Sequence, residues 1–317
     1  MKSGASVDGI VGVLRAKRDD ATLLGERLPS ACVAERLFDV GDNRDDDELF
    51  GNLASHRARV AIWNRYSLLF RRDVPVRFLH LCDLHVPFHD IDVLEEAVAY
   101  ALSSDIAHCV VNGDLLDVYA ASKFAKNKSV DIRKEIECAS RVLEVLSAHF
   151  DTVILVEGNH ERRIKRYVAA SIDPDLQWLF RVDLLGMLAE RHENVLYAGG
   201  PWCKVGSVVF AHPDAYSKVP GRTAIGIADS LRARGETVSA VIIGHTHKVV
   251  NGMLANGMAI YEAGCACREM DYVGVGRSPI SPWTCGYGVI ALDGRGDINV
   301  NESRVYVSCS QPVSVIS

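Results

Sequence analysis

The chain has no apolar run approaching the roughly 20 residues that a bilayer-spanning helix needs, so a role within a membrane is not expected. It has no basic surplus either: 35 Lys and Arg stand against 41 Asp and Glu, a formal net charge of −6. That balance excludes the global positive field that drives nonspecific binding to nucleic acid, while leaving room for local basic patches. The first residues, MKSGASVDGIVGVLRAKRDD, contain no sustained apolar core followed by a cleavage site, so no export signal is read there and the cytoplasm is the expected compartment. There is no internal repeat and no low-complexity segment. Regular cysteine spacing is missing as well. The nine cysteines are irregularly placed, and several, such as Cys82 and Cys109, sit inside apolar runs. Buried free thiols in a reducing compartment are the expectation. Cys265-Ala266-Cys267 has a one-residue gap and no second pair, unlike a zinc knuckle, so it is not read as a metal site.

What is present is an ordinary globular composition, 48% hydrophobic and 24% charged over 317 residues. This length fits one large domain plus a small appendage. Residues 1–72 read as a helical segment, with helices over roughly 8–17, 31–38 and 47–70. Such a segment suits a cap, a dimer arm for a homo-oligomer, or a targeting module with Arg57, Arg59 and Arg65 toward a partner. The cap or arm is favoured, because no recognition helix with its turn stands out. Asp73-Val74-Pro75 breaks the helix, and residues 73–317 form the main domain.

Within it, strands are expected at 76–82, 106–112 and 152–156, alternating with helices at 91–103 and 130–149. A β-α-β-α-β order implies a parallel sheet with helices on its faces. The later runs at 204–210, 239–243, 257–262, 286–292 and 303–308 read as strands, with helices at 176–191 and 222–234. The expected fold class is therefore α/β: a two-sheet β-sandwich flanked by helices, with the small helical segment in front.

Five short segments follow these strands and are rich in metal-ligand residue types. They are Asp83-Leu84-His85, Gly113-Asp114-Leu115-Leu116-Asp117, Gly158-Asn159-His160-Glu161, Ala211-His212-Pro213 and Gly244-His245-Thr246-His247. Five of the 11 histidines fall in them. Ligands of open α/β sheets bind outside the carboxyl ends of strands, so five separated segments can meet on one rim. Imidazole and carboxylate suit manganese, iron, zinc or nickel, with the amide of Asn159 as a weak neutral donor. Two cations held about 3.5–4 Å apart by a shared carboxylate can lower the pKa of a water between them, so that hydroxide attacks phosphorus in line. Gly113, Gly158 and Gly244 each precede a site residue, where a strand-to-loop turn needs positive φ or close backbone approach.

The set D-x-H, G-D-x-x-D, G-N-H-E, a lone His after a strand, and G-H-x-H resembles the calcineurin-like metallophosphoesterase superfamily over about residues 76–292. The stretches DLHVPFHD, GDLLDVYAASKF and GNHERR are similar to its bacterial and bacteriophage branch. The resemblance implies a metal-dependent hydrolase with two divalent ions; mixed nitrogen and oxygen ligation suits manganese, the expected metal, with iron, zinc or nickel the alternatives. It implies that Asp83, His85 and His247 hold the first metal, that Asn159, His212 and His245 hold the second, and that Asp114 bridges them. It implies that His160 protonates the leaving oxygen or stabilises the transferring phosphoryl group, and that Asp117 orients His160. Two positions depart from the pattern. Pro213 replaces the usual glycine after His212, and it keeps that residue extended. Val118-Tyr119 replaces the Arg-Gly that Ser/Thr protein phosphatases of the superfamily carry after G-D-x-x-D, which argues against that activity and toward phosphodiesters.

For the substrate, two basic clusters adjoin the motifs: Arg162, Arg163, Lys165 and Arg166, and Lys123, Lys126 and Lys128 with Tyr119 and Phe124. Cations interleaved with aromatics can track a phosphodiester backbone and stack bases. Tyr119, Lys123 and Arg162 are thus candidate substrate contacts, and a nucleotide or related diester is the expected substrate. The alternatives are a nuclease on DNA or RNA and a non-enzymatic scaffold on the same fold; the complete ligand set argues against the scaffold. His89 is a candidate supporting residue of the site, and the loop over 265–285, with Asp271, Tyr272, Arg277 and Trp283, is a candidate cleft wall. His56, His80, His108, His149 and His192 are read as structural or exposed.

Overall fold

The computed structural model describes residues 75–122, 130–180, 183–268 and 283–308. The expectations for residues 1–72, for Lys123, Phe124, Lys126 and Lys128, and for Asp271, Tyr272 and Arg277 lie outside the described residues.

Two sheets face each other. The first is built from β1 (Val76–Leu81), β2 (His108–Asn112), β3 (Thr152–Val156), β4 (Val195–Tyr197), β10 (Gly286–Leu292) and β11 (Arg304–Val307), in the order β11-β10-β1-β2-β3-β4. β1 to β4 are parallel neighbours, while β10 and β11 extend the sheet antiparallel. The second contains β5 (Trp202–Val205), β6 (Val208–Ala211), β7 (Ala240–Ile243), β8 (Val249–Met253) and β9 (Ala259–Ala263), in the order β5-β6-β7-β9-β8. There β6, β7 and β9 run parallel, with antiparallel edges. Phe78, Val110, Ile154 and Ile290 from one sheet pack on Phe210, Ile242 and Tyr261 from the other, and this is the central core. Each such side chain contributes about 1.5–3 kcal/mol by leaving water.

The helices cover the outer faces. α1 (Ile91–Ser103) starts at Asp90, whose carboxylate accepts from the Asp92 N–H at 3.1 Å. It buries Val93, Leu94, Ala97, Val98 and Ala101, the i, i+4 stripe of an amphipathic helix. α2 (Ile132–His149) is capped in the same way by Asp131 and buries Ala139, Val142, Leu143 and Leu146. α3 (Arg162–Ser171) buries no residue along its length. α4 (Leu184–Ala189) is short, and α5 (Arg222–Ala233) packs Ala224, Ala228 and Leu231 on the outer face of the second sheet. No helix among the described residues is long and apolar enough to cross a membrane.

Two sequence expectations need correction. The run 204–210 is not one strand but the hairpin β5–β6, because Gly206 turns the chain at φ +59, where an added Cβ would meet the Gly296 carbonyl oxygen at 2.2 Å. The turn is hidden among Val205, Val208 and Val209, so apolar content alone reads through it. The expected helix over 176–191 is a 3-10 segment, Pro174–Phe180, followed by α4. Asp183 accepts from the Gly186 N–H at 3.1 Å and starts a new helix there.

Candidate metal centre

The parallel strands β1, β2 and β3 of one sheet, and β6, β7 and β9 of the other, end on a common rim. Asp83 and His85 follow β1, Asp114 follows β2, Asn159 and His160 follow β3, His212 follows β6, and His245 and His247 follow β7. The loops are tied together beyond the strands. Asp83 N–H donates to Gly113 O at 3.1 Å and His85 N–H to Asp114 O at 2.9 Å. The buried Glu161 carboxylate accepts from the N–H groups of Asp114, Leu116 and Gly158 at 3.2, 2.9 and 2.8 Å, joining the second and third loops. Across the sandwich, His245 N–H reaches the Asp83 carboxylate at 2.9 Å, and His212 Nδ1 meets Asn112 O at 2.8 Å.

This packing strains the backbone. Among the described residues seven non-glycine positions have positive φ, and Asp83, His85, Asp114, His245 and His247 are five of them. Such conformations cost on the order of 1–3 kcal/mol each and persist only where surrounding contacts over-determine them. A sixth is Val118 (φ 50), held by the buried Glu135, whose two carboxylate oxygens take the N–H groups of Val118 and Tyr119.

Hydrogen bonds set the imidazole tautomers. A carbonyl accepts only, so His212 donates from Nδ1 to Asn112 O and points its Nε2 inward. His85 Nδ1 lies 3.2 Å from Asp117 Oδ1, which leaves its Nε2 likewise free. His160 Nδ1 sits 2.9 Å from both Asp117 Oδ1 and Asp117 O. Its Nε2 lies 2.7 Å from Arg163 Nη2 and 3.8 Å from Asp114 Oδ2.

The inward donors converge. His247 Nε2 is 3.1 Å from Asp83 Oδ1 and 3.3 Å from His85 Nε2, which in turn is 3.7 Å from Asp114 Oδ2. On the other side, His212 Nε2 is 3.2 Å from Asp114 Oδ2 and 3.2 Å from Asn159 Oδ1. Three groups, Asp114/His212/His245, His85/Asp114/His160 and His85/His247/Cys267, each keep their donor atoms within 4.8 Å of one another. Ligands bound at about 2.1 Å with tetrahedral or octahedral angles stand about 3.0–3.4 Å apart, so these separations fit divalent cations. The charges fit too. Burial pushes the carboxyls of Asp83 and Asp114 up, but His247 and His212 around the first, and His160 and His212 around the second, outweigh it, and both end below the usual carboxylate range. Burial lowers His212, yet Asp114 and Asp83 push it up to about 9. A buried pocket that draws positive charge this strongly suits cations. His245, by contrast, is lowered to about 4, first by burial and then by neighbouring His212.

Asp117 is buried between His85 and His160, and its carboxyl lies below the usual range because those two imidazoles outweigh its desolvation. Arg162 points its guanidinium to Asp214 (2.8 Å) and to the carbonyls of Glu157 (3.2 Å) and His212 (3.5 Å), at the edge of the centre. Tyr119 is 1% exposed and packs with Phe88, Val130 and Trp283, so its ring supports the wall from behind. Trp283 and Tyr216 flank the centre, with ring centroids 4.2 Å from that of His247 and 5.0 Å from that of His245 respectively. His89 is buried, and that burial lowers its pKa from the ordinary imidazole value. Sequence reasoning named Arg163 only within a basic cluster and Glu161 only within a motif, with no individual role for either, and did not single out Glu135. Arg163 follows His160 by three positions at a helix start, which is the spacing that superposes side chains, so this one had a signal. The carboxylates had none, because their partners are backbone amides of distant loops.

A two-sheet sandwich with imidazole and carboxylate donors gathered at strand ends defines an α/β protein built to bind metal. The chain belongs to the calcineurin-like phosphoesterase family, whose profile matches residues 76–249 and whose members bind divalent metals. No curated protein matches it. Among solved structures it is similar to vacuolar protein sorting 29 from Cryptosporidium parvum (16% identity, 74% of this chain and 98% of that one, TM-score 0.40). It is similar to an archaeal phosphodiesterase (12%, 74% and 100%, TM-score 0.40) and to YfcE, a phosphoesterase from E. coli (15%, 71% and 97%, TM-score 0.35). None of these likenesses bears on what this chain acts on.

Proposed function

We propose that the protein is a metal-dependent phosphoesterase that uses two divalent cations and cleaves phosphodiesters, a nucleotide or related diester being the substrate class. The observation that carries this reading is the inward convergence of His85, His212 and His247 Nε2 on Asp83 and Asp114 at 3.1–3.9 Å inside a buried rim. Asp83, His85 and His247 would hold the first ion, Asn159, His212 and His245 the second, with Asp114 between them. When bound, such a pair supplies activated water for in-line attack on phosphorus and neutralises charge on the phosphoryl oxygens.

The chain's own residues do the rest. Asp117 fixes the ring of His160 through Nδ1 and so aims Nε2 at the rim, where it accepts from Arg163; His160 would serve as the acid toward the leaving oxygen in its doubly protonated form, with Arg163 turned to the phosphoryl group. Arg163 Nη2, beside that nitrogen, places a permanent positive charge where the phosphoryl group develops negative charge. Tyr119 acts through the wall it supports, and Arg162, whose guanidinium is held by Asp214 beside His212, would meet a substrate phosphate by leaving Asp214; Lys123 is proposed in the same role from the sequence alone. Manganese is the proposed metal, because mixed nitrogen and oxygen donors accept it. The cytoplasm is the proposed compartment, since seven cysteines of the described residues are free thiols.

The test is a substrate panel with manganese present, spanning phosphomonoesters, linear and cyclic nucleotides, and single- and double-stranded nucleic acid. Turnover highest on small diesters supports the proposal. Turnover confined to polynucleotides makes the protein a nuclease, and metal-loaded protein inert on the whole panel makes it a scaffold.

A further inference from the structure

A sixth segment reaches the rim. β9 runs parallel to β7, in register Ile243 to Glu262, so residues 264–267 emerge at the same end as His245 and His247. They are laid across the loop that follows β1. Ala266 N–H donates to Cys82 O at 3.1 Å, Ala266 O accepts from Asp90 N–H at 2.9 Å, Arg268 N–H donates to Phe88 O at 2.8 Å, and Cys267 bridges to His89. This clamps Cys267, which is fully buried, against the first half of the centre. Its sulfur and one nitrogen each of His85 and His247 lie within 4.8 Å of one another. The Cys265 thiol points at the Cys267 carbonyl at 3.9 Å and at the Thr284 carbonyl at 3.7 Å, and the Cys285 thiol points at the Cys267 carbonyl at 3.5 Å. A buried sulfur facing two imidazoles, with its own backbone carbonyl held by two neighbouring thiols, is arranged as supported metal ligands are.

We propose that Cys267 is a sulfur donor to the cation held by Asp83, His85 and His247. The inference rests on the metal-centre reading above and deepens it. On binding, the S–H proton leaves to solvent and the sulfur lone pair forms the bond to the metal, with no change of oxidation state. The two halves of the centre then differ in kind. Asp83, His85, His247 and Cys267 make a soft site that prefers zinc, ferrous iron or cobalt, whereas Asn159, His212 and His245 accept manganese. The one-residue gap that rules out a zinc knuckle is no obstacle, because the other donors come from β1 and β7 rather than from a second cysteine pair.

The test uses the full chain, reduced and loaded anaerobically. X-ray absorption at the zinc edge of the unmodified protein is expected to show sulfur scattering at about 2.3 Å. Loaded with cobalt(II), the protein is expected to show visible d–d bands and an intense near-ultraviolet thiolate-to-cobalt band. Cys267→Ser is expected to lose the near-ultraviolet band, keep the d–d bands, and bind zinc at least about tenfold more weakly in chelator competition. Cys265→Ser and Cys285→Ser are expected to keep both bands. Visible bands without the near-ultraviolet band, zinc with only nitrogen and oxygen neighbours, or a band that survives Cys267→Ser would each overturn the assignment and leave the metal centre standing. Failure to bind cobalt or zinc at all would remove the metal centre and the assignment together. The absorption measurement needs no variant, so a misfolded Cys267→Ser chain cannot obscure the result.

Discussion

Replacing His160 by alanine separates proton transfer from metal binding. The ring is buried and held by Asp117 at Nδ1, 2.9 Å away, and its Nε2 faces the rim beside Arg163. A positioned general acid is worth about 10²–10⁴-fold, which at 1.36 kcal/mol per tenfold is roughly 3–5 kcal/mol of barrier. The proposed ligands Asp83, His85, Asp114, Asn159, His212, His245 and His247 all remain in His160→Ala, so metal content is expected to stay at the parental level. The cost to folding should be about 1–3 kcal/mol, because the buried Asp117 carboxylate keeps only His85 as its imidazole partner, while Arg163, 14% exposed on its side chain, can turn to water. The informative assay is a series of diesters graded by leaving group, with metal content measured on the same samples. An acid matters most when the leaving oxygen is basic, so the loss in kcat should be largest for alkoxide leaving groups and smallest for p-nitrophenolate. A uniform loss along the series accompanied by loss of metal would mean that His160 is a ligand, as its membership of the His85/Asp114/His160 group allows, and the acid role would fall. Unchanged turnover on every diester would refute it outright.

Three further outcomes are expected. Gly113→Ala places a Cβ at φ +83 and 2.1 Å from His212 Nδ1, so it should lower stability by about 1–3 kcal/mol and reduce metal content; an unchanged urea midpoint with full metal would contradict the packing described. Glu135 is pushed up to about 8 from its ordinary 4.5, first by burial and then by Asp117 against the Val118 amide. The folded state therefore binds the extra proton, and its stabilising effect is complete below about 4.5 and lost as pH rises through about 8. Denaturation curves at pH 5, 7 and 9 should show the unmodified protein losing stability faster than Glu135→Gln, and parallel losses would sink the idea. Finally, adding manganese at about 100 times its dissociation constant to chelator-treated protein should stabilise it by about 2.7 kcal/mol, read as a raised Tm. No shift with manganese, zinc or cobalt would argue against any cation site.

The sequence by itself determined the family and the opening alternation of β1, α1, β2, α2 and β3, because both rest on local chemistry, whereas β4, β8 and α3 were not read from it. Buried parallel strands read as continuous apolar runs, as in Val76–Leu81 and Thr152–Val156, and α1 shows its stripe in residue spacing alone. Ligand-type residues sit immediately after those runs, so the candidate donors could be named before their meeting was visible. Only the tertiary structure decided what holds them. That Glu161 collects three amides, that Glu135 pins Val118 in a left-handed turn, and that Arg163 rather than Arg162 touches His160 are facts of three-dimensional contact. The strained φ at Asp83, His85 and His245 belongs here too, since loop packing imposes it on residue types with no local preference strong enough to announce it. Cys267 shows the division most sharply. Its spacing in the chain reads as nothing, and only the parallel course of β7 and β9 carries its sulfur to His85 and His247.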